Sequence, residues 1–537
     1  MKRKEVVLLI SIFLVALLPR LFGLSYGLPH LYLEDEEFFV QPALHVAEGH
    51  LNPGWFGAPG QPLIYGLAFL FRGTSFIANL IHHTSNPVTI NYQQYITTFQ
   101  TVGRAIPALA GALLAVVVYF IGKEWSKRAG VIAGFLVAGS FYLVDHSHII
   151  RPDILQTLFV AFLLLFVIKI VHEPKKFFWY VLAAVAFGLA ITTKFPSLVL
   201  GLPMLFVMWK QKKDGVWYWR GWKWALAITL LTVLASAPFL FLDPLRAGAD
   251  ILHEAASQHG GHDGLGFFGN LWWYVSQVLG WQLGTFFYLS AIGTCVFGCT
   301  EIVRKGLSGK RLLFGILFSF LVVYLIFISA LSLHWERWII PVAVLLMICA
   351  GIGLDYLFAY TQNRKSIIIA IIFLCSFAPL FRTARTIASY ALPHTEEAMR
   401  EWIMNNIPTT AVIAQEPHTP ELPSDYSTER FANMTVHSSE WFQEQGFTYY
   451  IISGGVHGII EKEALHYGEW SNYGNAVKLY GKLFSESTLL YEARGHPTYD
   501  TDELLYRNDF AILKTFDIQM SKGSYQRLYT WQSVDGN

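Results

Sequence analysis

The feature that most constrains this chain is a succession of long apolar stretches from the N-terminus to about residue 381. A helix that crosses a bilayer needs about 20 mostly apolar residues, and about eleven stretches satisfy this length and hydropathy. Their approximate cores are 6–24, 103–122, 130–146, 154–171, 177–193, 196–209, 224–242, 283–303, 312–331, 338–358 and 366–381. Charged residues make up 14% of the chain, against about 25% in soluble domains. The sequence therefore predicts a polytopic α-helical membrane protein.

The distribution of basic residues predicts the orientation of these spans. Alternate connections carry the Lys and Arg residues, and the positive-inside rule makes those connections cytoplasmic. The basic positions are Lys2-Arg3-Lys4, Lys123 with Lys127-Arg128, Lys175-Lys176, Lys210 with Lys212-Lys213, Arg304-Lys305 with Lys310-Arg311, and Arg364-Lys365. An odd number of spans then places the N-terminus inside and the C-terminus outside.

Three of the outward segments are long, and the sequence predicts two domains. Residues 1–381 form a transmembrane domain whose first outer loop, 25–102, contains helix-like pieces at 36–48 and 63–81. We expect these pieces to lie on the membrane surface, with a spanning position for 63–81 as the open alternative. The second outward segment, 243–282, is rich in Gly and His.

The third outward segment, 382–537, is more polar and is predicted to form a small extracytoplasmic α/β domain. It opens with an amphipathic helix, Glu396 to Asn406, in which Met399, Trp402 and Ile403 share one face. Short runs typical of strands follow at Ala411–Ala414, Tyr449–Ser453 and Phe510–Lys514.

Charge and cysteine content exclude several classes of function. The net charge of +1 gives no basic surface of the kind that nucleic-acid binding requires. All four cysteines lie in apolar stretches, and none has the Cys/His spacing of a zinc site. The cysteines are Cys295, Cys299, Cys349 and Cys375.

The polar residues of the outward connections fall into one set, which begins with the adjacent acids Asp35 and Glu36. Charges placed at a membrane face are costly unless they serve a function. The other members are His146, His148, Arg151, Asp153, Lys194, His253, His259, His262, Asp263, His334, Glu336 and Arg337.

These residue types at one membrane face suit a reaction on an anionic lipid. A carboxylate can deprotonate an incoming hydroxyl, and Lys and Arg can bind a phosphate and stabilise it as a leaving group. The structural alternatives are a solvated acidic loop, snorkelling Arg151 and Arg337, and Lys194 as a helix-end anchor. His259, His262 and Asp263 are candidate metal ligands in a loop that is alternatively just flexible.

Four groups of motifs resemble one family in their order along residues 1–415. They are Asp35-Glu36 with Gly60-Gln-Pro-Leu-Ile-Tyr65, Arg104 to Gly122 with Arg151-Pro-Asp153, Gly188-Leu-Ala-Ile-Thr-Thr-Lys194, and Arg337-Trp-Ile-Ile-Pro341 with Ala350-Gly-Ile-Gly353. In these motifs the chain resembles the membrane glycosyltransferases of GT-C type that are dolichyl-phosphate-mannose protein mannosyltransferase-like or aminoarabinose-transferase-like. It departs from them at Pro59-Gly-Gln-Pro62, and no β-trefoil domain of the eukaryotic mannosyltransferases is visible.

The resemblance implies transfer of a sugar from a polyprenyl-phosphate donor, with inversion, on the extracytoplasmic side. It implies that Asp35 is the catalytic acidic residue, with Glu36 supporting or sharing that role, and that Asp153 is the second acidic position. Lys194 and Arg337, with Arg151, would hold the lipid phosphate. Further candidate site residues are His148, His334 and Glu336.

The expected partners are the donor lipid, membrane lipids and an acceptor that is a protein, a lipid or a glycan. No cofactor is predicted, although a divalent metal stays open. We expect a prokaryotic plasma membrane, because the eukaryotic accessory domains are missing. The alternatives are a transporter or flippase of a lipid-linked glycan, and a sensor or scaffold.

Overall fold

The computed structural model describes residues 3–57, 60–254, 265–360, 365–467, 471–495 and 522–531. The chain divides into two compact units. The first is Met1–Ser25 with Leu33–Ala384, and the second is Tyr26–Tyr32 with Arg385–Asn537. The division therefore falls close to the expected boundary between residues 381 and 382, whereas the grouping of Tyr26–Tyr32 with the C-terminal region has no counterpart in the sequence prediction.

The first unit is helical. Its helices are α1 (Arg3–Leu21), α2 (Glu37–Ala47), α3 (Gln61–His82), α4 (Val88–Gln94), α5 (Ile96–Lys123), α6 (Lys127–Ala138), α7 (Phe141–His146), α8 (Asp153–His172), α9 (Phe177–Thr193), α10 (Gly201–Lys213), α11 (Trp219–Ser236), α12 (Phe239–Leu242), α13 (Pro244–Glu254), α14 (Gly266–Trp273), α15 (Leu279–Leu283), α16 (Thr285–Lys305), α17 (Lys310–Ser329), α18 (Ile340–Tyr360) and α19 (Lys365–Ser389). Single turns of 3₁₀ helix lie at Glu34–Glu36, Phe195–Leu200 and Glu336–Ile339, and a π-helical turn lies at Tyr274–Val278.

Apolar helices confirm that this is a multi-pass membrane protein. Within the described ranges, seven helices are long and apolar enough to cross a membrane. They are Gln61–His82, Ile96–Lys123, Asp153–His172, Thr285–Lys305, Lys310–Ser329, Glu336–Tyr360 and Ile369–Ser389. The set includes α3, so its expected surface position and the full count of spans stay predictions.

Several predicted spans are interrupted rather than continuous. The stretch 130–146 divides into α6 and α7, and Ser140 caps α7 by accepting a hydrogen bond from the amide of Leu143. The stretch 224–242 breaks after Ser236, where Pro238 supplies no amide hydrogen to continue the helix. Hydropathy averaged over a window does not register such breaks, which explains why each stretch was predicted as one continuous span.

Charged side chains gather at the end of the bundle where α1 begins. Glu5 pairs with Lys123 at the end of α5, and Glu124 pairs with Lys169 near the end of α8 at 2.5 Å. Glu5, Lys123 and Glu124 come from segments that the sequence assigns to the cytoplasm, and Lys169 lies near the end of the predicted span 154–171 that leads into the next such connection. At the other end of α1 and α5, the Leu24 carbonyl accepts a 2.8 Å hydrogen bond from Arg104.

The second unit is an α/β fold around a five-stranded sheet. Its strands are β1 (Val412–Gln415), β2 (Ser427–Arg430), β3 (Tyr449–Ser453), β4 (Thr488–Ala493) and β5 (Gln526–Thr530), in the order β2-β1-β3-β5-β4. Strand β1 is parallel to β2 and β3, while β5 is antiparallel to β3 and β4. Its helices are α20 (Thr395–Asn406), α21 (Ser439–Glu444), α22 (Gly454–Tyr467) and α23 (Asn472–Ser485).

The expected elements of this unit are present in the described residues. Helix α20 buries Met399 and Ile403 fully, and β1 and β3 coincide with two of the predicted strands within a residue. The third, Phe510–Lys514, lies outside the described residues. Glu416, after β1, accepts hydrogen bonds from the amides of Met434 and Ser453 at 2.9 and 3.0 Å, and burial raises the pKa of its carboxyl to about 7.

Candidate active site

Asp35 lies in the 3₁₀ turn that precedes α2, and its carboxylate pairs with the guanidinium of Arg151. Arg151 stands in the short connection between α7 and α8. The two side chains are 36% and 20% exposed, respectively. Asp35 is therefore reachable from solvent while a fixed cation orients it.

Glu36, the next residue, has a fully buried environment. Arg104 holds both of its carboxylate oxygens, at 2.9 Å through Nε and 2.7 Å through Nη2. The amide of Ile150 donates a further 2.9 Å hydrogen bond to Oε1. Glu36 therefore joins the first loop, helix α5 and the α7–α8 connection, and its geometry is that of a structural ion pair with bidentate donors.

Asp153 and Lys194 form a second ion pair. Asp153 is the first residue of α8, where the helix dipole favours a carboxylate. Lys194 follows the last turn of α9 and donates to Asp153 Oδ1. The Nζ atom of Lys194 lies 5.7 Å from the ring centroid of Trp338. The sequence predicted both residues for the site, and the structure brings them into contact.

Arg337 lies in the 3₁₀ turn Glu336–Ile339, with its guanidinium 4.7 Å from the ring centroid of Trp335. Within the described part of the chain, Arg337 makes no ion pair. The positive charges of Arg337 and Arg151 both act on the ammonium group of Lys194. Burial lowers the pKa of the Lys194 ammonium, Asp153 opposes this shift, and the charges of Arg337 and Arg151 lower the pKa further.

The histidines predicted for the site lie in more enclosed surroundings. Both ring nitrogens of His148 lie 2.8 Å from backbone carbonyl oxygens, those of Val144 and Phe22. His334 is buried, with its ring centroid 4.4 Å from that of Trp273. Such contacts are typical of packing residues.

The metal candidates His259, His262 and Asp263 lie outside the described residues. Across the part of the chain that the structure describes, no group of three or more His, Cys, Asp or Glu side chains could hold a metal ion. Glu336, the remaining candidate, is half-buried beside Arg337 in the 3₁₀ turn.

Sequence reasoning did not single out Arg104 or the two tryptophans. Arg104 is a charged residue near the start of an apolar span, and such residues are rare unless they are paired, so this signal was available. Trp335 and Trp338 carry no charge and give no comparable signal, since their role depends on the cations that lie over their rings.

The arrangement combines three cations, Arg151, Lys194 and Arg337, with the carboxylates of Asp35 and Asp153, outside the Glu36–Arg104 pair. The carboxylate of Glu336 adjoins Arg337 in the same 3₁₀ turn. Such a cluster can accept a phosphate, because phosphate oxygens take hydrogen bonds from Lys and Arg. The partly exposed Asp35 can accept a proton from a neighbouring hydroxyl.

Comparison with known proteins agrees with these motifs. The sequence model of the family described as dolichyl-phosphate-mannose-protein mannosyltransferase matches residues 95–241. That range contains Arg104, Arg151, Asp153 and Lys194. Among curated proteins, no sequence matches this chain.

Three solved structures are similar in fold. ArnT from Cupriavidus metallidurans in the apo state is 16% identical, with a TM-score of 0.51 over 85% of this chain and 94% of that chain. ArnT bound to undecaprenyl phosphate is 16% identical, with a TM-score of 0.49 over 75% and 73%. The Archaeoglobus fulgidus oligosaccharyltransferase complex with Zn and sulfate is 11% identical, with a TM-score of 0.48 over 97% and 88%.

The family match covers the middle of the chain, and the fold shared with apo ArnT extends over most of it. The predicted resemblance to the GT-C membrane glycosyltransferases of the dolichyl-phosphate-mannose protein mannosyltransferase-like and ArnT-like type is therefore confirmed.

Proposed function

We propose that this protein transfers a sugar from a polyprenyl-phosphate donor to an acceptor hydroxyl, with Asp35 as the general base. The observation that carries the proposal is the cluster of Asp35 with Arg151, Asp153 with Lys194, and Arg337 at one end of the bundle. The match to a family described by dolichyl-phosphate-mannose supports a polyprenyl-phosphate sugar as the donor.

The cations of the cluster bind the donor phosphate. Lys194 and Arg337 contact its oxygens, and Arg151 contributes from the side of Asp35. Asp153 keeps the ammonium of Lys194 in place, which makes it a positioning residue in this scheme. Because charge develops on the phosphate as it leaves, fixed cations stabilise the transition state more than the ground state.

The reaction is a single displacement. The acceptor oxygen attacks the anomeric carbon from the face opposite the phosphate, the carbon–oxygen bond to the phosphate breaks, and Asp35 takes the proton of the hydroxyl. The configuration at the anomeric carbon is inverted. The bonding electrons leave with the lipid phosphate, which needs no general acid because it is already stable as an anion.

The charge distribution supports the location of this chemistry. The cluster lies at the end of α1 and α5 opposite the Lys- and Arg-rich connections, so we place it on the extracytoplasmic side of the plasma membrane. From the predicted topology, we also propose that the C-terminal α/β unit is extracytoplasmic. The acceptor is a protein, a lipid or a glycan.

Transfer of radiolabel from polyprenyl-phosphate mannose in membranes tests the proposal, with the native chain and Asp35→Asn compared at matched expression. Loss of a general base lowers the rate by about 100- to 10,000-fold. Glu48→Gln serves as the control, since Glu48 is an exposed carboxylate of the same loop that accepts from Thr89. It should retain full activity.

Three outcomes would contradict parts of the scheme. Equal transfer by the native chain and Asp35→Asn would remove Asp35 from catalysis. Loss of transfer on adding a chelator would show that a divalent metal takes part. Movement of the labelled lipid between leaflets without any transferred sugar would favour a flippase.

A further inference from the structure

The segment that carries Arg337 has little backbone pairing of its own. Between the end of α17 and the 3₁₀ turn Glu336–Ile339, residues 330–335 form no regular helix or strand. A segment of this kind is held by hydrogen bonds from side chains or by water. The contacts that fix it therefore decide where the guanidinium of Arg337 lies.

Three buried polar side chains supply such contacts. They come from α14, the π-helical turn and α15, and they are Asn270, Tyr274 and Gln282. Each is at most 3% exposed. The proposed reaction uses none of these three residues. Burying a polar group is costly unless the group forms hydrogen bonds.

Each of the three side chains bonds the backbone of the segment. Asn270 Nδ2 donates to the carbonyls of Ser329 and Leu331 at 3.3 and 2.9 Å. Tyr274 Oη bonds both backbone groups of Trp335, accepting from N and donating to O at 3.3 Å each. Gln282 Nε2 donates to the carbonyl of Glu336 at 3.1 Å.

The bonds from Tyr274 and Gln282 reach the two residues that precede Arg337. Trp335, whose backbone Tyr274 holds, also supplies the ring over which the guanidinium lies. The π-helical turn begins at Tyr274, and such turns are frequent at functional sites because they change which residues face a neighbour.

We infer that Asn270, Tyr274 and Gln282 are positioning residues that fix Arg337 for the donor phosphate, an inference that rests on the proposed function. They do not contact the substrate. Tyr274 and Gln282 act through the backbone at Trp335 and Glu336, and Asn270 acts through the backbone at the start of the segment. Together these bonds fix the position of the guanidinium relative to Lys194. Pre-organised donors bind a phosphate more tightly than mobile ones, because less motion is lost on binding.

Tyr274→Phe in the full chain tests the inference, since it removes only the hydroxyl. Its matched control is Tyr180→Phe, because Tyr180 is equally buried and its hydroxyl donates to the Pro174 carbonyl at 2.8 Å, near the predicted cytoplasmic end. We expect Tyr274→Phe to lower both kcat and kcat/KM for the polyprenyl-phosphate sugar, the latter about ten-fold, because Arg337 stabilises the departing phosphate. Tyr180→Phe should change neither.

A double-mutant cycle with Arg337→Ala separates positioning from general destabilisation. In that background, Tyr274→Phe should lower kcat/KM by less than about two-fold, because no guanidinium is left to position. Hydrogen exchange at the Trp335 amide should be faster in Tyr274→Phe than in the native chain and unchanged in Tyr180→Phe. This readout requires no turnover.

Each outcome has one meaning. Unchanged kcat/KM in Tyr274→Phe, or full additivity with Arg337→Ala, overturns the inference while the proposed function stands. Absence of transfer by the native chain overturns the proposed function. Unchanged exchange at Trp335 in Tyr274→Phe overturns the role of this hydroxyl whatever the activity.

Discussion

The adjacent acids Asp35 and Glu36 have opposite environments, and this difference assigns them different roles. Asp35 is over one-third exposed beside Arg151, whereas Glu36 is 1% exposed between Arg104 and the amide of Ile150. A general base must reach the proton that it removes. Glu36 already accepts three hydrogen bonds, so we propose Asp35 as the base and Glu36 as a structural residue.

These different environments predict different effects on stability when each carboxylate is replaced by its uncharged amide. Glu36→Gln leaves Arg104 as an uncompensated buried charge, and breaking such a pair costs about 3–5 kcal/mol of folding free energy. We expect a clear fall in the thermal unfolding midpoint of the purified protein, with little change for Asp35→Asn. The double variant Glu36→Gln with Arg104→Met should recover part of the loss. Normal stability with lost transfer in Glu36→Gln would instead make Glu36 the base.

The site residues themselves could be predicted from the sequence, but the contacts between them could not. Asp35, Lys194 and Arg337 were predicted because each is a charge at the end of an apolar stretch, which is a local property. That Asp153 binds Lys194 was not predicted, since the two stand 41 residues apart and no local pattern joins them. The structural partner of Glu36 was missed for the same reason.

At the scale of elements, glycines set the distance between α5, α6 and α18. A Cβ atom on Gly130 would lie 2.5 Å from the carbonyl oxygen of Tyr119, and one on Gly351 would lie 2.7 Å from that of Ala129. Small residues of this kind let membrane helices approach closely, where packing and not the hydrophobic effect drives association.

The close packing of α5, α6 and α18 predicts that two Gly→Ala substitutions will differ in their effect on stability. The methyl group added in Gly130→Ala pushes the backbones of α5 and α6 apart, whereas the one added in Gly293→Ala, in α16, meets no atom within 4 Å. Both changes raise helix propensity by about 1 kcal/mol. Thermal unfolding should therefore show Gly130→Ala less stable than the native chain and Gly293→Ala at least as stable. Equal unfolding midpoints for the two variants would mean that the packing of α5, α6 and α18 adjusts to the added methyl group without loss of stability.

Interruptions of the helices show what hydropathy misses at this scale. The stretches 130–146 and 224–242 each looked like one span, yet Ser140 and Pro238 begin new helices within them. Capping and proline effects act over single residues, and a window of spanning length averages them away.

At the scale of the whole molecule, the predicted topology has a direct test. We expect a membrane-impermeant thiol reagent on intact cells to label Glu444→Cys, an exposed position of the C-terminal unit. Lys212→Cys, at an exposed position in the last turn of α10 on the predicted cytoplasmic side, should react only after lysis. The native chain is the control for the four natural cysteines. Labelling of Lys212→Cys in intact cells would contradict the assigned orientation.

The multi-pass helical character follows from the amino-acid sequence alone, because hydropathy is a property of consecutive residues. The same is true of the charged residues that stand where apolar stretches end. The partners of those charges depend on the folded arrangement of the helices, since Glu36 meets Arg104 across 68 residues and Asp35 meets Arg151 across 116. Such contacts depend on how helices pack, and packing is set by many weak interactions that no single segment encodes.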